Sequence, residues 1–442
     1  MSRKTKKQLG IWGVLGVGFL LGYVAACSRT EPTDRAEVQA QVETDNEATA
    51  ELAVPSEWSR TQPHPKQDVY YPGTEALGPD EMRVVCCGSG MPQPRLKQAA
   101  ACFLVELGNG EKFIFDIGAG SNERISALGI PLDQLDKVFL GHLHLDHAGD
   151  FPTFYFTRSV NNGLSGLGVW GPSGVRPEWG TKAWIENMKK MWAWEEATRG
   201  GAVDPRGLAL EVNEFDWKAV NAVIYDKNDV VVRSLPAIHG DQSVSFILEW
   251  NGFKFAFSSD TLPNKWWMEH TNGCDLSIHE SVLPPELFIE KYDFSPSEAV
   301  FVGTQAHTTP AAFGKVMSMT KPRMAVAYHF QNDYDTAPAV ETAIRTTYDG
   351  PLSLATDFMV WNVTKENIRT RMAVPNHESY PPPIQRTKQP PDSMKAYQWD
   401  PFSLSGVERE AAAVTNKIVE AFNKEFGTDV KPSLTGLPFK DD

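Results

Sequence analysis

Two hydrophobic periods divide this chain of 442 residues. Short apolar and β-branched runs predict strands. The first is Met82-Arg83-Val84-Val85-Cys86-Cys87, which runs into the turn Gly88-Ser89-Gly90. Residues 103–106 and 112–116 flank Gly108-Asn109-Gly110, and residues 244–250 and 253–257 flank Asn251-Gly252. Asn-Gly between strand-like runs is a strong hairpin signal, because both turn positions tolerate positive φ. Each hairpin leads to an aspartate at a strand end, Asp116 in FDIGAG and Asp260 in FSSDT, which hints at two similar halves. The helical period predicts helices over 121–128, 181–197, 310–320 and 340–348, the third opening on Thr309 and Pro310 as helix starts often do. Strands and helices interleave from 82 to 366, so the fold class is α/β or α+β with helices on the outer faces.

The ends read differently. Arg3, Lys4, Lys6 and Lys7 precede an apolar stretch over 11–26, too short for a comfortable membrane span and of signal-peptide length. It closes on Val24-Ala25-Ala26-Cys27, which resembles the lipobox of bacterial lipoproteins. That resemblance implies removal of residues 1–26 and a lipid on Cys27. With Ser28 rather than Asp next, it also implies an exported protein on the outer membrane, facing the periplasm. Residues 27–78 are polar, acidic and dotted with proline, as expected of a flexible tether. Residues 367–442 form a C-terminal extension: the run PPPIQRTKQPPD, then an amphipathic helix near 406–426 expected to pack on the body.

Composition narrows this little: 41% hydrophobic and 22% charged residues are ordinary globular values. The net charge of −14 argues against nucleic acid as a partner, since phosphate binding calls for a basic face. Cys86, Cys87, Cys102 and Cys274 have no CxxC spacing. A bridge is conceivable in an oxidising compartment, but buried free thiols are the expectation.

The chemistry sits in GHLHLDHAGD, residues 141–150. In an extended segment residues two apart point the same way, so His142 and His144 can reach one ion, while Asp146 and His147 lie beyond and can reach a second. Imidazole nitrogens with a carboxylate suit zinc and its first-row neighbours. The chain has ten histidines, and three of them fall inside this one motif, which is hard to reconcile with a chance loop.

HxHxDH is also the hallmark of the metallo-β-lactamase superfamily, which this sequence resembles over residues 82–366. The resemblance implies a four-layer αββα sandwich, with a catalytic domain over 79–366. It implies a first metal on His142, His144 and His239, and a second on Asp146, His147 and His329, with Asp260 bridging. Two zinc ions would be the cofactors, manganese or iron being possible substitutes. Asp116 would brace the ligand loop. CCGSGMPQPR, VWGPSGV, DLSIHES and AHTTPAAFGKVMS are similar to segments of the tRNA 3′-processing endonucleases (tRNase Z) and of the related zinc arylsulfatases. In that branch the catalytic roles fall on Asp146 and His307, with His279 and Glu280 in support. His307 follows Ala306 and precedes Thr308 where the branch has Gly and Ser.

RNA itself is not the substrate expected. Residues 150–235 replace a basic RNA-gripping arm with ten basic against eleven acidic side chains. The same stretch holds Trp170, Trp179, Trp184, Trp192 and Trp194. Trp184, Met188 and Trp192 share a helical face, so core packing is expected for most, with one or two walling a substrate pocket. The expected function is therefore a binuclear zinc hydrolase of a small sulfate ester or phosphodiester, joined to no nucleic acid. A lactonase or carboxylic-ester hydrolase on the same site is the alternative, as is a catalytically silent metal-binding surface lipoprotein.

Overall fold

The computed structural model describes residues 69–199, 203–378 and 399–429. Cys27, the segment before it and the proline-rich run lie outside them.

Two sheets face each other. One has nine strands in the order Val69–Tyr70, Ile368–Ala373, Met359–Val363, Met82–Gly88, Cys102–Leu107, Lys112–Phe115, Lys137–Phe139, Leu167–Pro172 and Leu210–Phe215. The other has seven: Leu352–Leu354, Met324–Tyr328, Leu276–Glu280, Phe253–Phe257, Val244–Trp250, Val230–Pro236 and Ala222–Lys227. Three cores separate four layers. Phe103, Phe115, Phe139, Phe246, Phe257 and Tyr328 fill the space between the sheets. Ile125, Leu128, Phe151, Phe154 and Met188 join the first sheet to its helices, and Trp267, Phe288, Phe313, Val316 and Ile344 join the second to its own. Full burial of each such ring contributes about 1.5–3 kcal/mol, so the aromatic middle layer dominates the packing. The expected αββα sandwich is the fold observed.

The hint of two halves has a topological basis. In each sheet an antiparallel hairpin is followed by parallel strands: Lys112–Phe115 pairs with Lys137–Phe139, and Phe253–Phe257 with Leu276–Glu280 and then Met324–Tyr328. Parallel neighbours need crossovers, and the helices Ser121–Ala127, Phe151–Val160, Lys265–His270, Pro310–Thr320 and Thr336–Arg345 supply them. Crossovers bring the carboxyl ends of successive strands to one edge, where open α/β sheets bind their ligands.

Several boundaries move. The sheet extends beyond residues 79–366, because Val69–Tyr70 pairs with Ile368–Ala373, which pairs with Met359–Val363. Residues expected in the tether thus form the edge strand, and residues expected in the extension form the strand beside it. The helix expected over 181–197 is two, Thr181–Met191 and Ala193–Arg199, broken at Trp192 with φ −101° and ψ 18°. The helix expected from 340 starts at Thr336 and ends at Arg345, with Pro338 in the first turn, where no intrahelical acceptor is needed for an N–H. The helix Arg409–Phe426 leaves its stripe of Val414, Ile418, Phe422 and Phe426 exposed rather than packed on the body.

Candidate active site

Every proposed ligand, and the bracing Asp116, follows a strand end at one edge of the sandwich. Asp116 follows Phe115, the segment 141–147 follows Phe139, His239 lies just beyond Pro236, Asp260 follows Phe257, and His329 follows Tyr328. Asp116, Ser259 and His329 have φ of 55°, 49° and 75°, a left-handed conformation that costs an L-residue on the order of 1 kcal/mol or more. These three strained positions thus lie where the strands turn into the site. Two glycines let it close. A Cβ on Gly141 would lie 2.2 Å from Ser259 Oγ, and one on Gly118 would lie 2.0 Å from the Asp146 carbonyl oxygen.

His144 is extended at φ −66° and ψ 153°, and the short helix Leu145–Ala148 begins directly after it. That switch of period divides the motif. His142 Nε2 lies 3.0 Å from His144 Nδ1, which lies 3.3 Å from His239 Nε2. Beyond the switch, His329 Nε2 lies 3.4 Å from His147 Nε2 and 3.2 Å from Asp146 Oδ2. Asp260 Oδ2 stands between the groups, 3.2 Å and 3.3 Å from the Nε2 atoms of His147 and His329, and 3.6 Å and 3.9 Å from those of His239 and His142. The seven residues expected as ligands are therefore brought together in two groups, His142, His144 and His239 in one and Asp146, His147, Asp260 and His329 in the other.

The donors fit metal ions. Ligands on a tetrahedral ion with bonds of about 2.0–2.1 Å stand about 3.3 Å apart, close to the spacings found. Asp260 Oδ1 is buried without a hydrogen-bond partner, and three pairs of imidazole nitrogens meet at close range: His142 with His144 at 3.0 Å, His144 with His239 at 3.3 Å and His147 with His329 at 3.4 Å. A cation among them would take these nitrogens and the Asp260 carboxylate as ligands.

The electrostatics match. Burial, then the charge on His147, holds His142 well below the ordinary histidine range, and burial, then His239, lowers His144. Burial works to raise Asp146, but His147 and His329 overcome it and bring it down to about 2. Burial likewise opposes ionisation of Asp260, yet His147 and His329 hold it well below the usual carboxylate range. His147 is raised well above its ordinary value: burial pulls down, and the carboxylates of Asp260, Asp146 and Asp116 win. This much uncompensated attraction between buried imidazoles and carboxylates is what a divalent ion would satisfy without a proton.

Supporting residues fix the rings. Asp116 accepts from His147 Nδ1 at 2.6 Å, from the Gly141 N–H at 2.7 Å and from the Ser259 hydroxyl at 2.8 Å. Burial nevertheless pushes Asp116 up, against those donors. His239 donates from Nδ1 to the Ala306 carbonyl at 2.7 Å. Glu280 Oε1 lies 3.2 Å from His307 Nδ1 and accepts from the Thr261 N–H at 2.8 Å, and burial pushes its carboxyl up to about 8. His307 Nδ1 is 3.8 Å from Asp260 Oδ2, and burial lowers its pKa. Asp260, Glu280, His307 and His329 thus form a third convergent group.

His279 is different. Its Nδ1 donates to the Glu280 carbonyl at 2.8 Å, and its ring packs on Trp267 and Phe313 in the outer core. Strand alternation turns it away from the edge that Glu280 faces, so it touches no ligand, and burial holds it down at about 4. Ser259 is the residue that sequence reasoning missed: its hydroxyl also lies 3.2 Å from His142 Nδ1, tying the two ligand loops together. Its place beside Asp260 was the only signal.

A cleft of about 630 Å³ opens on His142, His144 and His239, with Trp179 and Trp184 in its wall. Trp170 is in the core. Trp192 and Trp194 are 40% and 73% exposed, so the expected face of Trp184, Met188 and Trp192 is only partly a packing face. Cys86, Cys87, Cys102 and Cys274 are free and buried.

Residues 97–167 match the family described as the metallo-beta-lactamase superfamily. A ribonuclease Z from Mycolicibacterium gilvum (strain PYR-GCK) is 28% identical over 205 residues, 45% of this chain and 68% of that protein. One from Mycobacterium marinum (strain ATCC BAA-535 / M) is 26% identical over 203 residues, covering 45% and 70%. Among solved structures, the metallo-beta-lactamase fold protein YhfI from Bacillus subtilis has a TM-score of 0.48 at 16% identity, covering 64% of this chain and all of its own (100%). The short form of human tRNase Z has a TM-score of 0.46 at 18% identity, covering 63% and 98%. These relatives correct one expectation. Proteins named ribonuclease Z act on RNA, so the exclusion of nucleic acid as a partner does not stand. A net charge of −14 is summed over the whole chain and does not measure the field at the site, where a bound metal ion would add positive charge.

Proposed function

This chain carries a metal-dependent hydrolase domain of the metallo-β-lactamase superfamily, and on that premise we propose that it cleaves a phosphodiester with two divalent ions, zinc in the first instance. The observation that carries the reading is the position of Asp260 Oδ2, within 3.9 Å of the Nε2 atoms of four histidines from both ligand groups. Similarity to ribonuclease Z is what favours a phosphodiester over a sulfate ester or a lactone.

His142, His144 and His239 would hold one ion, Asp146, His147 and His329 the other, and Asp260 both. The chemistry supplied by bound ions is Lewis acidity, which lets water ionise near neutral pH and draws charge from the ester oxygens. The protein supplies orientation. Asp116 and Ala306 fix the rings of His147 and His239 through their Nδ1 atoms, which leaves Nε2 of each to face the cluster. His307 would give its Nε2 proton to the departing alkoxide while the Glu280 carboxyl, which burial raises to about 8, passes its own proton to Nδ1 and is left as the carboxylate. The export and Cys27 anchoring expected from the N-terminus belong to this proposal and rest on the sequence alone.

The test is a turnover panel on zinc- and manganese-loaded protein: bis(4-nitrophenyl) phosphate, an RNA oligonucleotide, 4-nitrophenyl sulfate, a lactone and a β-lactam. A phosphodiester should be cleaved with the highest kcat/KM. Asp146→Ala and His147→Ala should each lose second-site metal and roughly a hundredfold or more of turnover. Faster turnover of the sulfate or lactone would refute the substrate class. Two bound metal equivalents with no turnover of any substrate would favour a metal-binding lipoprotein instead.

A further inference from the structure

The cleft beside the first ligand group has a composition that the hydrolytic reading does not use. Besides the three histidines, it is lined by the aromatic residues Trp179, Trp184 and Phe301 and the acidic residues Glu178 and Asp241, and among the described residues no lysine or arginine lines it. At about 630 Å³ it falls within the range of small-molecule sites. We propose that this cleft is a subsite for one unpaired nucleobase of the phosphodiester, stacked on the tryptophans with its N–H donors turned toward Glu178 and Asp241. The inference rests on the phosphodiester reading above and narrows it.

Charge decides what the cleft can take. The diester's anion belongs at the metal ligands, and a further phosphate in the cleft would face Glu178 and Asp241 with no lysine or arginine among its described lining residues to offset them, Arg176 lying over Trp179 outside that lining. A neutral ring avoids that repulsion. Guanine, adenine and cytosine each present an exocyclic amino group that a carboxylate accepts, which uracil lacks, and any base offers a face to an indole.

The wall is also pre-set. Gln242 accepts from the Val175 N–H at 2.9 Å and donates to the Trp179 carbonyl at 3.0 Å, which ties the tryptophan's turn to the loop that carries His239. The Arg176 guanidinium lies 4.7 Å from the centroid of the Trp179 ring and covers one of its faces. Trp184 is braced edge-on by Phe151, with ring centroids 5.7 Å apart. Walls fixed before binding cost less ordering when a ring enters.

Calorimetric titration of the metal-loaded full chain tests this, using GMP, AMP, CMP and UMP against ribose 5-phosphate and phenyl phosphate. The three nucleotides with an exocyclic amino group should bind roughly tenfold tighter, or more, than ribose 5-phosphate. In Trp179→Ala and Trp184→Ala the ratio of GMP to ribose 5-phosphate affinity should fall toward one, and in Asp241→Asn the preference for GMP over UMP should flatten. Equal binding of ribose 5-phosphate and GMP would overturn the subsite. So would phenyl phosphate binding as tightly as GMP, because the pocket would then read any aryl ring. Turnover of bis(4-nitrophenyl) phosphate, measured in parallel, separates the two claims: its absence sinks the hydrolytic reading, whereas loss of base preference alone sinks only this one.

Discussion

His147 Nδ1 donates to Asp116 Oδ2 across 2.6 Å, and neither side chain reaches solvent. Asp116 also accepts from Gly141 and Ser259, so one carboxylate orients a ligand ring, the ligand loop and the turn before Asp260.

Asp116→Asn should therefore act on metal rather than on substrate. The amide keeps the shape but loses the anion that raises the basicity of His147. Metal affinity at the second site is expected to fall roughly ten- to a hundredfold. Competition with a chromophoric chelator reads it, and retention of wild-type affinity at both sites would contradict the bracing role.

Chelation should also cost stability. The ligand cluster buries Asp146 and Asp260 among imidazoles, and two of its polar atoms have no protein partner. An ion present at a hundred times its dissociation constant stabilises the fold by about 2.7 kcal/mol per site. A drop in Tm of roughly 5 °C or more on EDTA treatment, reversed by zinc, is expected in calorimetry. An unchanged Tm would mean that no ion is bound with useful affinity.

How far these features could be read beforehand differs with their physical basis. The hairpins at 108–110 and 251–252 were legible because Asn-Gly determines turn geometry locally, and 310–320 because its cap and its first-turn proline do the same. His142, His144, Asp146 and His147 were legible because they are contiguous. The edge strand Val69–Tyr70 was not: two residues carry no period, and its pairing partner, Ile368–Ala373, lies some 300 positions away. Ser259 was hidden for a related reason, since its three partners come from two distant loops. The fate of the tryptophans depended on which face of 181–191 met the sheet and on the break at Trp192, and neither is written in local spacing.

The cysteines give a prediction against solvent. Burial raises Cys86 and Cys102 well above the ordinary thiol range and Cys274 to about 12, so thiolate is scarce and inaccessible. Native protein should show at most the Cys27 thiol reacting with a disulfide reagent, and four more after unfolding without reductant. Fewer than four would reveal a bridge.

Gly141→Ala probes the close approach of the two ligand loops. The added Cβ would meet the Ser259 side chain at 2.2–2.3 Å, and Ser259 cannot yield without giving up its bonds to Asp116 and His142. Denaturant unfolding should show a loss of about 1–3 kcal/mol, together with weaker metal binding. A neutral effect would show that the loops can separate.

His307 and Glu280 form the pair whose effect should fall on the chemical step. Nδ1 of the ring lies 3.2 Å from the carboxylate, and that carboxylate is itself held by the N–H groups of Thr261 and Thr308 at 2.8 Å and 3.3 Å. If His307 donates the proton, His307→Gln should lower kcat roughly a hundred- to ten-thousandfold while leaving both metal equivalents in place. The loss should be small for an ester whose leaving group needs no proton, such as 4-nitrophenolate, and large for an alkyl ester. Glu280→Gln should reproduce that contrast in weaker form, because it misorients the ring without removing it. Equal losses on aryl and alkyl esters, or loss of a metal equivalent on replacing His307, would instead make His307 a ligand, as its place with Asp260 and His329 in the third convergent group also allows.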